Sequence, residues 1–253
     1  SGPEGKVTTL LRDMIAAEPG AARTARALAD HPLVTVNEDG QVFLTLRLAR
    51  WDDTDRAELE ALGASFGIIA PEVRTAEAWV APVDILAVAG HPAISQVRPV
   101  YPAATNVGAA TTEGDSLLGA DLVRRLGYDG AGTNVGVVSD GVQALMCTQV
   151  AGELPQGLTV LAAGSGFEGT AMLEIVHDLA PSARLFFATA HPSALYMRER
   201  ILALAEAGCD VIVDDIAYYD EPCFEDGPVA QAIDQVVSQG VVYCTSAGNG
   251  AEG

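Results

Sequence analysis

Acidic side chains stand at points where short apolar segments of this sequence end. Asp140 follows the apolar run 135–139, and Asp215 closes the run 211–215. Glu168 opens a segment whose apolar residues have helical spacing. Two carboxyl groups brought together at a partly dry site cannot both ionise easily, so the pKa of one rises and the pair can act as a general base. The residue types therefore indicate acid–base chemistry.

Each of these positions also has an ordinary structural explanation. Asp140-Gly141 and Asn249-Gly250 are dipeptides typical of tight turns. A glutamate at the beginning of a helix, such as Glu168, is favoured by the helix dipole by about 0.3–1 kcal/mol. Taken alone, the turn explanation of Asp140 is the better one, and only a combination of motifs favours a catalytic role.

The elements that must position these groups alternate along the second half of the chain. Short apolar runs separated by amphipathic segments are typical of a parallel sheet with helices on both faces. In such a sheet the functional groups gather at the carboxyl ends of the strands, which here are acidic and carry one amide, Asn249. The predicted strands are 135–139, 158–162, 184–189, 211–215 and 241–245, and the predicted helices are 116–126, 170–179, 193–207 and 227–239.

The first half of the chain has a different order of elements. Strands are predicted over 42–48, 66–71, 76–81 and 94–100, with helices over 54–62 and 83–89. This βαββαβ order is that of a smaller α+β, ferredoxin-like domain. The predicted organisation is a helical lead-in over 1–32, this domain over 33–101, a linker over 102–115 and an α/β domain over 116–253.

Three motifs occur in the order and with the spacing found in the subtilisin-like serine proteases, the subtilases. They are Asp140-Gly-Val, then Glu168-Gly-Thr followed by a helix and an Ala-Pro turn, and the run that ends in Ser-Ala-Gly-Asn249. The first domain also resembles a subtilase propeptide in its strand order and in the segment 90–100, which precedes the linker. The chain therefore resembles a subtilase that begins with its propeptide.

This resemblance implies an incomplete subtilisin-like fold and peptide-bond hydrolysis. Asp140 takes the place of the catalytic aspartate, and Glu168 stands where these enzymes have their histidine base. Asn249 matches the asparagine that stabilises the oxyanion, and Asp215 matches a strand end near the active centre, which makes it a second candidate to orient Glu168. The sedolisins are similar in using a Ser-Glu-Asp arrangement, although their glutamate and aspartate share one helix.

The serine nucleophile of subtilases lies in a Gly-Thr-Ser segment, and that tripeptide occurs nowhere in these 253 residues. We therefore expect a zymogen portion whose serine-bearing C-terminal part is on another chain, removed by cleavage or absent. On this expectation the chain alone does not cleave peptides. Its expected partners are a peptide or protein substrate and that missing part. The alternative is a pseudoprotease that has lost its histidine and binds a peptide or protein.

Bulk composition excludes several other classes. The net charge is −20, from 34 acidic and 14 basic residues, and the basic residues form no cluster, which argues against binding to nucleic acid. No run of about 18 apolar residues predicts a membrane span. The four cysteines are too widely spaced for a CxxC-type zinc site. The resemblance by itself adds two expectations, a bound calcium ion and a location that is secreted or in the cell envelope.

Two further motifs do not alter this prediction. The glycine-rich stretch 127–136 precedes its strand, whereas a dinucleotide-binding loop follows one, so a nucleotide cofactor is not predicted. His177 lies nine residues beyond Glu168 on the predicted helix, about 13–14 Å along the axis and on the opposite face. It cannot replace the missing histidine.

Overall fold

The computed structural model describes residues 2–17, 34–100, 104–105, 113–219, 221–222 and 224–248. The chain forms two compact units, Ser1–Pro102 and Ala103–Gly253, called here the N-terminal unit and the C-terminal unit. The predicted lead-in over 1–32 is described only as far as Ala17, and most of the predicted linker over 102–115 also lies outside the described residues.

The N-terminal unit is built on a four-stranded sheet with the order β2-β3-β1-β4, and all of its neighbouring strands are antiparallel. Helices follow the first and third strands, which gives the order β-α-β-β-α-β. The elements are a 3-10 turn (Pro3–Lys6), α1 (Thr9–Ala17), β1 (Val42–Leu48), α2 (Asp53–Ala61), β2 (Ser65–Ala70), a 3-10 turn (Pro71–Val73), β3 (Thr75–Val80), α3 (Ile85–Gly90) and β4 (Ile94–Pro99).

Alternating side chains give this sheet a buried apolar face. Leu44 and Leu46 of β1 are fully buried and pack in one cluster with Leu59 of α2. The start of α2 is fixed by a capping box, in which the side chains of Asp52 and Asp55 each accept a hydrogen bond of 2.9 Å from the other's backbone N–H. The Asp52 side chain therefore satisfies one of the free backbone N–H groups at the start of α2.

The C-terminal unit contains a five-stranded sheet with the order β11-β9-β6-β8-β7, and every pair in it is parallel. A short antiparallel pair, β5 with β10, stands apart from it. The elements are β5 (Ala104–Thr105), α4 (Gly114–Leu117), α5 (Ala120–Arg125), β6 (Asn134–Ser139), α6 (Leu145–Ala151), β7 (Thr159–Ala162), α7 (Glu168–Leu179), β8 (Arg184–Thr189), α8 (Ala194–Glu206), β9 (Val211–Asp214), β10 (Ile216–Ala217), α9 (Pro228–Ser238) and β11 (Val242–Thr245).

Helices lie on both faces of the parallel sheet. Val137 of β6 packs in a cluster with Leu173 of α7, whereas the next residue, Val138, packs in a second cluster with Ile201 of α8 and Val236 of α9. Successive side chains of a strand point to opposite faces, so α7 covers one face and α8 and α9 cover the other. The predicted mixed α/β architecture, with a flanked parallel sheet and a separate antiparallel sheet, is therefore present.

Several element bounds differ from the prediction. The single helix predicted over 116–126 is divided into α4 and α5 at Gly119, whose φ of +69° cannot continue a helix. The helix predicted to begin at Thr170 begins at Glu168, so the glutamate belongs to its first turn. The sequence predicts Asp215 inside a strand, but β9 ends at Asp214 and Asp215 follows it. Backbone hydrogen bonds, which composition alone does not specify, decide these positions.

None of the described helices has the length and apolarity that crossing a bilayer requires. The longest of them, α8, has 13 residues, whereas a spanning helix needs about 20.

Candidate active site

Three carboxylates lie at the carboxyl edge of the parallel sheet. Asp140 directly follows β6, Asp215 directly follows β9, and these two strands are neighbours. Glu168 is the first residue of α7, the helix that packs on β6 and β8. Parallel strands place their carboxyl ends at one edge, and the following loops and helix starts converge there. The fold thus brings together three of the four site residues predicted from the sequence.

The Asp140 carboxylate is held by backbone amides. Its Oδ1 accepts hydrogen bonds from the N–H of Gly141 and from the N–H of Gly169, the latter at 3.1 Å. Gly169 is in the first turn of α7, where free N–H groups and the helix dipole favour a negative charge. The Asp140 carbonyl accepts a hydrogen bond of 2.6 Å from Thr189 Oγ1 at the end of β8. Hydrogen bonds therefore hold both the carboxylate and the backbone carbonyl of Asp140 in place.

A glycine loop closes over Asp140. Gly164 (φ +65°) and Gly166 (φ +138°) have left-handed backbone conformations, and Gly141 forms a bridge with Gly164. A Cβ on Gly166 would overlap the Asp140 carboxylate, and one on Gly164 would overlap the Asp140 carbonyl and the Thr189 side chain. The loop needs glycine at both places because the backbone itself makes the contact.

Substituting Gly166 tests this close approach. Gly166→Ala is expected to lower the free energy of unfolding by about 1–3 kcal/mol, because the new methyl group displaces the Asp140 carboxylate from its amide donors. Urea denaturation followed by circular dichroism measures the loss. Gly132→Ala is the matched control, since Gly132 also has a positive φ (+85°) but nothing lies within 4 Å of the added Cβ. Equal losses in the two variants would contradict the crowding explanation.

Glu168 is a buried acid in contact with a second acid. The residue is only 8% exposed, and none of the described residues donates a hydrogen bond of normal geometry to its buried Oε2. Burial raises the pKa of Glu168 to about 7, helped by a side-chain hydrogen bond with Asp215 and by the charges of Asp215 and Asp140. A hydrogen bond between two carboxyl groups requires a proton on one of them. The Glu168–Asp215 pair therefore holds a proton to near-neutral pH.

The structure ranks the partners of Glu168 differently from the sequence. The resemblance made Asp140 the main partner and Asp215 a second candidate. In the structure Asp215 makes the hydrogen bond with Glu168, whereas Asp140 acts on its pKa through charge. Asp140 Oδ1 instead accepts hydrogen bonds from the backbone amides of Gly141 and Gly169. The catalytic roles of all three acids stay predictions.

Asn249, the predicted oxyanion donor, lies outside the described residues. The strand that leads to it, β11, is described, and Ser246 beyond its end donates a backbone hydrogen bond of 3.1 Å to the carbonyl of Asp214. The described segment 246–248 therefore leaves the sheet beside the end of β9. The role of Asn249 stays a prediction.

One group among the described residues has the composition of a metal site, and it is in the N-terminal unit. Ligand atoms of Asp55, Glu58 and His91 lie within 4.8 Å of one another. However, the N–H of Ala93 donates to His91 Nδ1, so the proton must be on Nε2, which lies 2.8 Å from Glu58. Asp55 is already bonded to Arg50 and to the Asp52 amide. The imidazole is thus engaged in a hydrogen bond and does not offer a free ligand nitrogen.

Two features of the site were missed by the sequence reasoning. Thr189, which holds the Asp140 carbonyl, was regarded only as the end of a strand, although a polar residue there is the same signal that singled out Asp140. The second is the Gly164-Ser-Gly166 loop, which directly precedes the Glu168 motif. The spacing of its glycines on either side of Ser165 was the available signal for a loop that must approach another backbone closely.

Comparison with known proteins shows which solved structures have a similar fold. No protein-family model and no curated protein sequence matches the chain. Among solved structures, the epidermin leader peptide processing serine protease EpiP from Staphylococcus aureus superposes with a TM-score of 0.51 at 15% identity, over 83% of this chain and 60% of that one. A Ser-to-Ala mutant of the same protease gives a TM-score of 0.55 at 13% identity, over 83% and 61%.

These likenesses concern the fold. The architecture is that of an α/β protein whose fold is similar to part of a solved serine protease, and three acids meet at the carboxyl edge of its sheet. The chain spans about 60% of the length of the solved protease chains to which it is similar.

Proposed function

We propose that this chain is the zymogen portion of a subtilase-like serine endopeptidase that uses a glutamate in place of the histidine base. In this proposal residues 33–101 are the propeptide and residues 116–253 are the first part of the catalytic domain. The nucleophilic serine lies outside these 253 residues. The observation that carries the proposal is the buried Glu168 carboxyl against Asp215, next to Asp140, in a serine-protease fold. A secreted or cell-envelope location is supported by the family resemblance alone.

The carboxylate pair can supply the proton transfers of peptide cleavage. As the serine Oγ bonds to the scissile carbonyl carbon, its proton passes to the Glu168–Asp215 pair. The C–N bond then breaks, and the same proton goes to the departing amine. Asp140 is held in place near Glu168 by the Gly141 and Gly169 amides. The proposed role of the Asn249 amide is to donate a hydrogen bond to the oxyanion.

The edge of the sheet supports the proposal that a further segment completes the domain. Val242 and Cys244 of the edge strand β11 are both exposed. Their neighbour Tyr243 points to the other face, where it packs under α8 and α9. None of the described residues therefore covers β11 on the α7 side, next to the face of the sheet that carries Glu168. We infer that the serine-bearing part packs against Val242 and Cys244 on this side of β11.

A form of the protein that carries a serine-bearing segment tests the proposed function. It is expected to cleave peptides, with a rate that falls as the pH drops below about 7, because Glu168 accepts the serine proton only in its ionised form. Peptide hydrolysis measured between about pH 4 and 8 gives the profile. The matched control replaces the nucleophilic serine with alanine and should be inactive.

The same assay separates the two functional classes. Absence of cleavage at every pH would end the peptidase proposal. Saturable binding of peptides by that inactive protein, measured by calorimetry, would then support the alternative, a pseudoprotease that binds a peptide or protein partner.

A further inference from the structure

A second buried acid lies immediately before Asp215. Asp214 is the last residue of β9, and its side chain is only 4% exposed. Side chains alternate along a strand, so Asp214 points to the same face as Ile212, which packs in the cluster under α8 and α9. Asp215 follows with the opposite orientation, towards Glu168. The side chains of these two neighbouring acids thus point in opposite directions.

The Asp214 carboxylate connects the ends of two strands. Its Oδ1 accepts a hydrogen bond of 3.2 Å from the N–H of Ile216 and one of 3.0 Å from Thr245 Oγ1 on β11. Its carbonyl accepts a third hydrogen bond from the N–H of Ser246 at 3.1 Å. Asp214 therefore fixes two segments, the one that follows β9 and the one that follows β11.

Each of these connections leads to a residue of the candidate site. The bond to Ile216 closes a turn around Asp215, because it joins the residue before Asp215 to the residue after it. The bonds to Thr245 and Ser246 fix the start of the segment that runs towards Asn249. A shift of the Asp214 side chain would move both the partner of Glu168 and the start of the segment 246–248.

Burying this carboxyl group has a free-energy cost. Burial raises the pKa of Asp214, and the buried Oδ2 has no hydrogen bond of normal geometry, although the Tyr243 hydroxyl is close enough to lower that pKa. A partly satisfied acid inside an apolar cluster destabilises the fold relative to an apolar residue of similar volume. A position that served packing alone would be better filled by such a residue.

We propose that Asp214 is a positioning residue of the site. It holds Asp215 against Glu168, and it fixes the chain that follows β11 beside this pair. This inference rests on the proposed function for its catalytic meaning, whereas its geometric part concerns the contact between Glu168 and Asp215.

The pKa of Glu168 reports this positioning directly, without catalysis. Carboxyl-carbon NMR titration of the present chain is expected to give a Glu168 pKa of about 7. In Asp214→Ala this pKa should fall by about one unit or more, because Asp215 is no longer held against Glu168. In Asp214→Asn it should stay within about 0.3 units, since the amide oxygen can accept the same two hydrogen bonds.

Two further variants distinguish a specific effect on the Glu168 pKa from the effect of a general loss of stability. Val236→Ala makes a cavity in the same apolar cluster and is expected to leave the Glu168 pKa unchanged. Asp214→Val also removes the carboxylate but leaves a residue that favours a strand, and it gives the same readout where the alanine variant does not fold. An unchanged Glu168 pKa in a folded Asp214→Ala or Asp214→Val protein would overturn the proposal.

Catalysis supplies the second readout. In a serine-bearing form, Asp214→Ala should lower kcat by about 100-fold with little change in KM, and Asp214→Asn should restore most of the activity. An unchanged kcat in Asp214→Ala would overturn the catalytic part of the proposal. Inactivity of the unsubstituted serine-bearing form would refute the proposed function instead, and the NMR titration would still decide the geometric part.

Discussion

Replacing Glu168 with glutamine is expected to lower kcat for peptide cleavage by about 100- to 10,000-fold in a serine-bearing form of the protein, which is the usual contribution of a general base. The amide is nearly the same shape as the acid but cannot accept the serine proton. KM should change little, because the proton is transferred in the transition state and not on substrate binding. Steady-state kinetics on a short peptide substrate measure both constants.

Glu174→Gln is the matched control for this substitution. Glu174 lies on the same helix, α7, and undergoes the same chemical change, but no contact joins it to Asp140 or Asp215 among the described interactions. It should keep nearly full activity. A Glu168→Gln protein that folds normally and cleaves peptides at the original rate would contradict the role of Glu168 as base.

The second large effect is on stability as a function of pH. The pKa of Glu168 is about 7 in the folded chain, against an ordinary value of 4.5. Between these values the folded state binds the proton and the unfolded state does not, so the free energy of unfolding falls as the pH rises. The stabilisation is fully present below pH 4.5 and is lost as the pH passes about 7. The expected loss is roughly 3 kcal/mol.

Glu168→Gln should abolish this pH dependence and make the C-terminal unit more stable than the unsubstituted one above about pH 7. Urea denaturation followed by circular dichroism measures the effect. Both tryptophans, Trp51 and Trp79, lie in the N-terminal unit, so tryptophan fluorescence provides an internal reference for the other unit. The exposed Glu206 of α8 provides the control Glu206→Gln, which should keep the fall in stability. A similar pH dependence in the Glu168→Gln protein would refute the buried-acid explanation.

The type and order of the main elements could be predicted because they depend on local patterns. The strand predicted over 42–48 is β1 with the same bounds, and the apolar runs of the second half are the strands of the parallel sheet. Apolar residues with a period of two, or in short uninterrupted runs, indicate whether a strand is half or fully buried. This information is contained in neighbouring residues.

Element ends were less predictable because they depend on hydrogen bonds made after the chain has folded. The break between α4 and α5 at Gly119 and the end of β9 before Asp215 are examples. A glycine tolerates a helix interior or ends a helix with almost the same composition around it, so the sequence leaves both outcomes available.

The sequence by itself determined which residues form an acidic edge. Asp140 and Asp215 end apolar runs, and parallel strands must bring such positions to one edge. The tertiary structure alone decided which acids are in contact and which are buried. Glu168 contacts Asp215, whereas Asp140 accepts hydrogen bonds from backbone amides. Asp214 is buried on the opposite face of the sheet. The physical reason is that a pKa and a shared proton depend on distance and burial, which arise only when distant segments of the chain pack together.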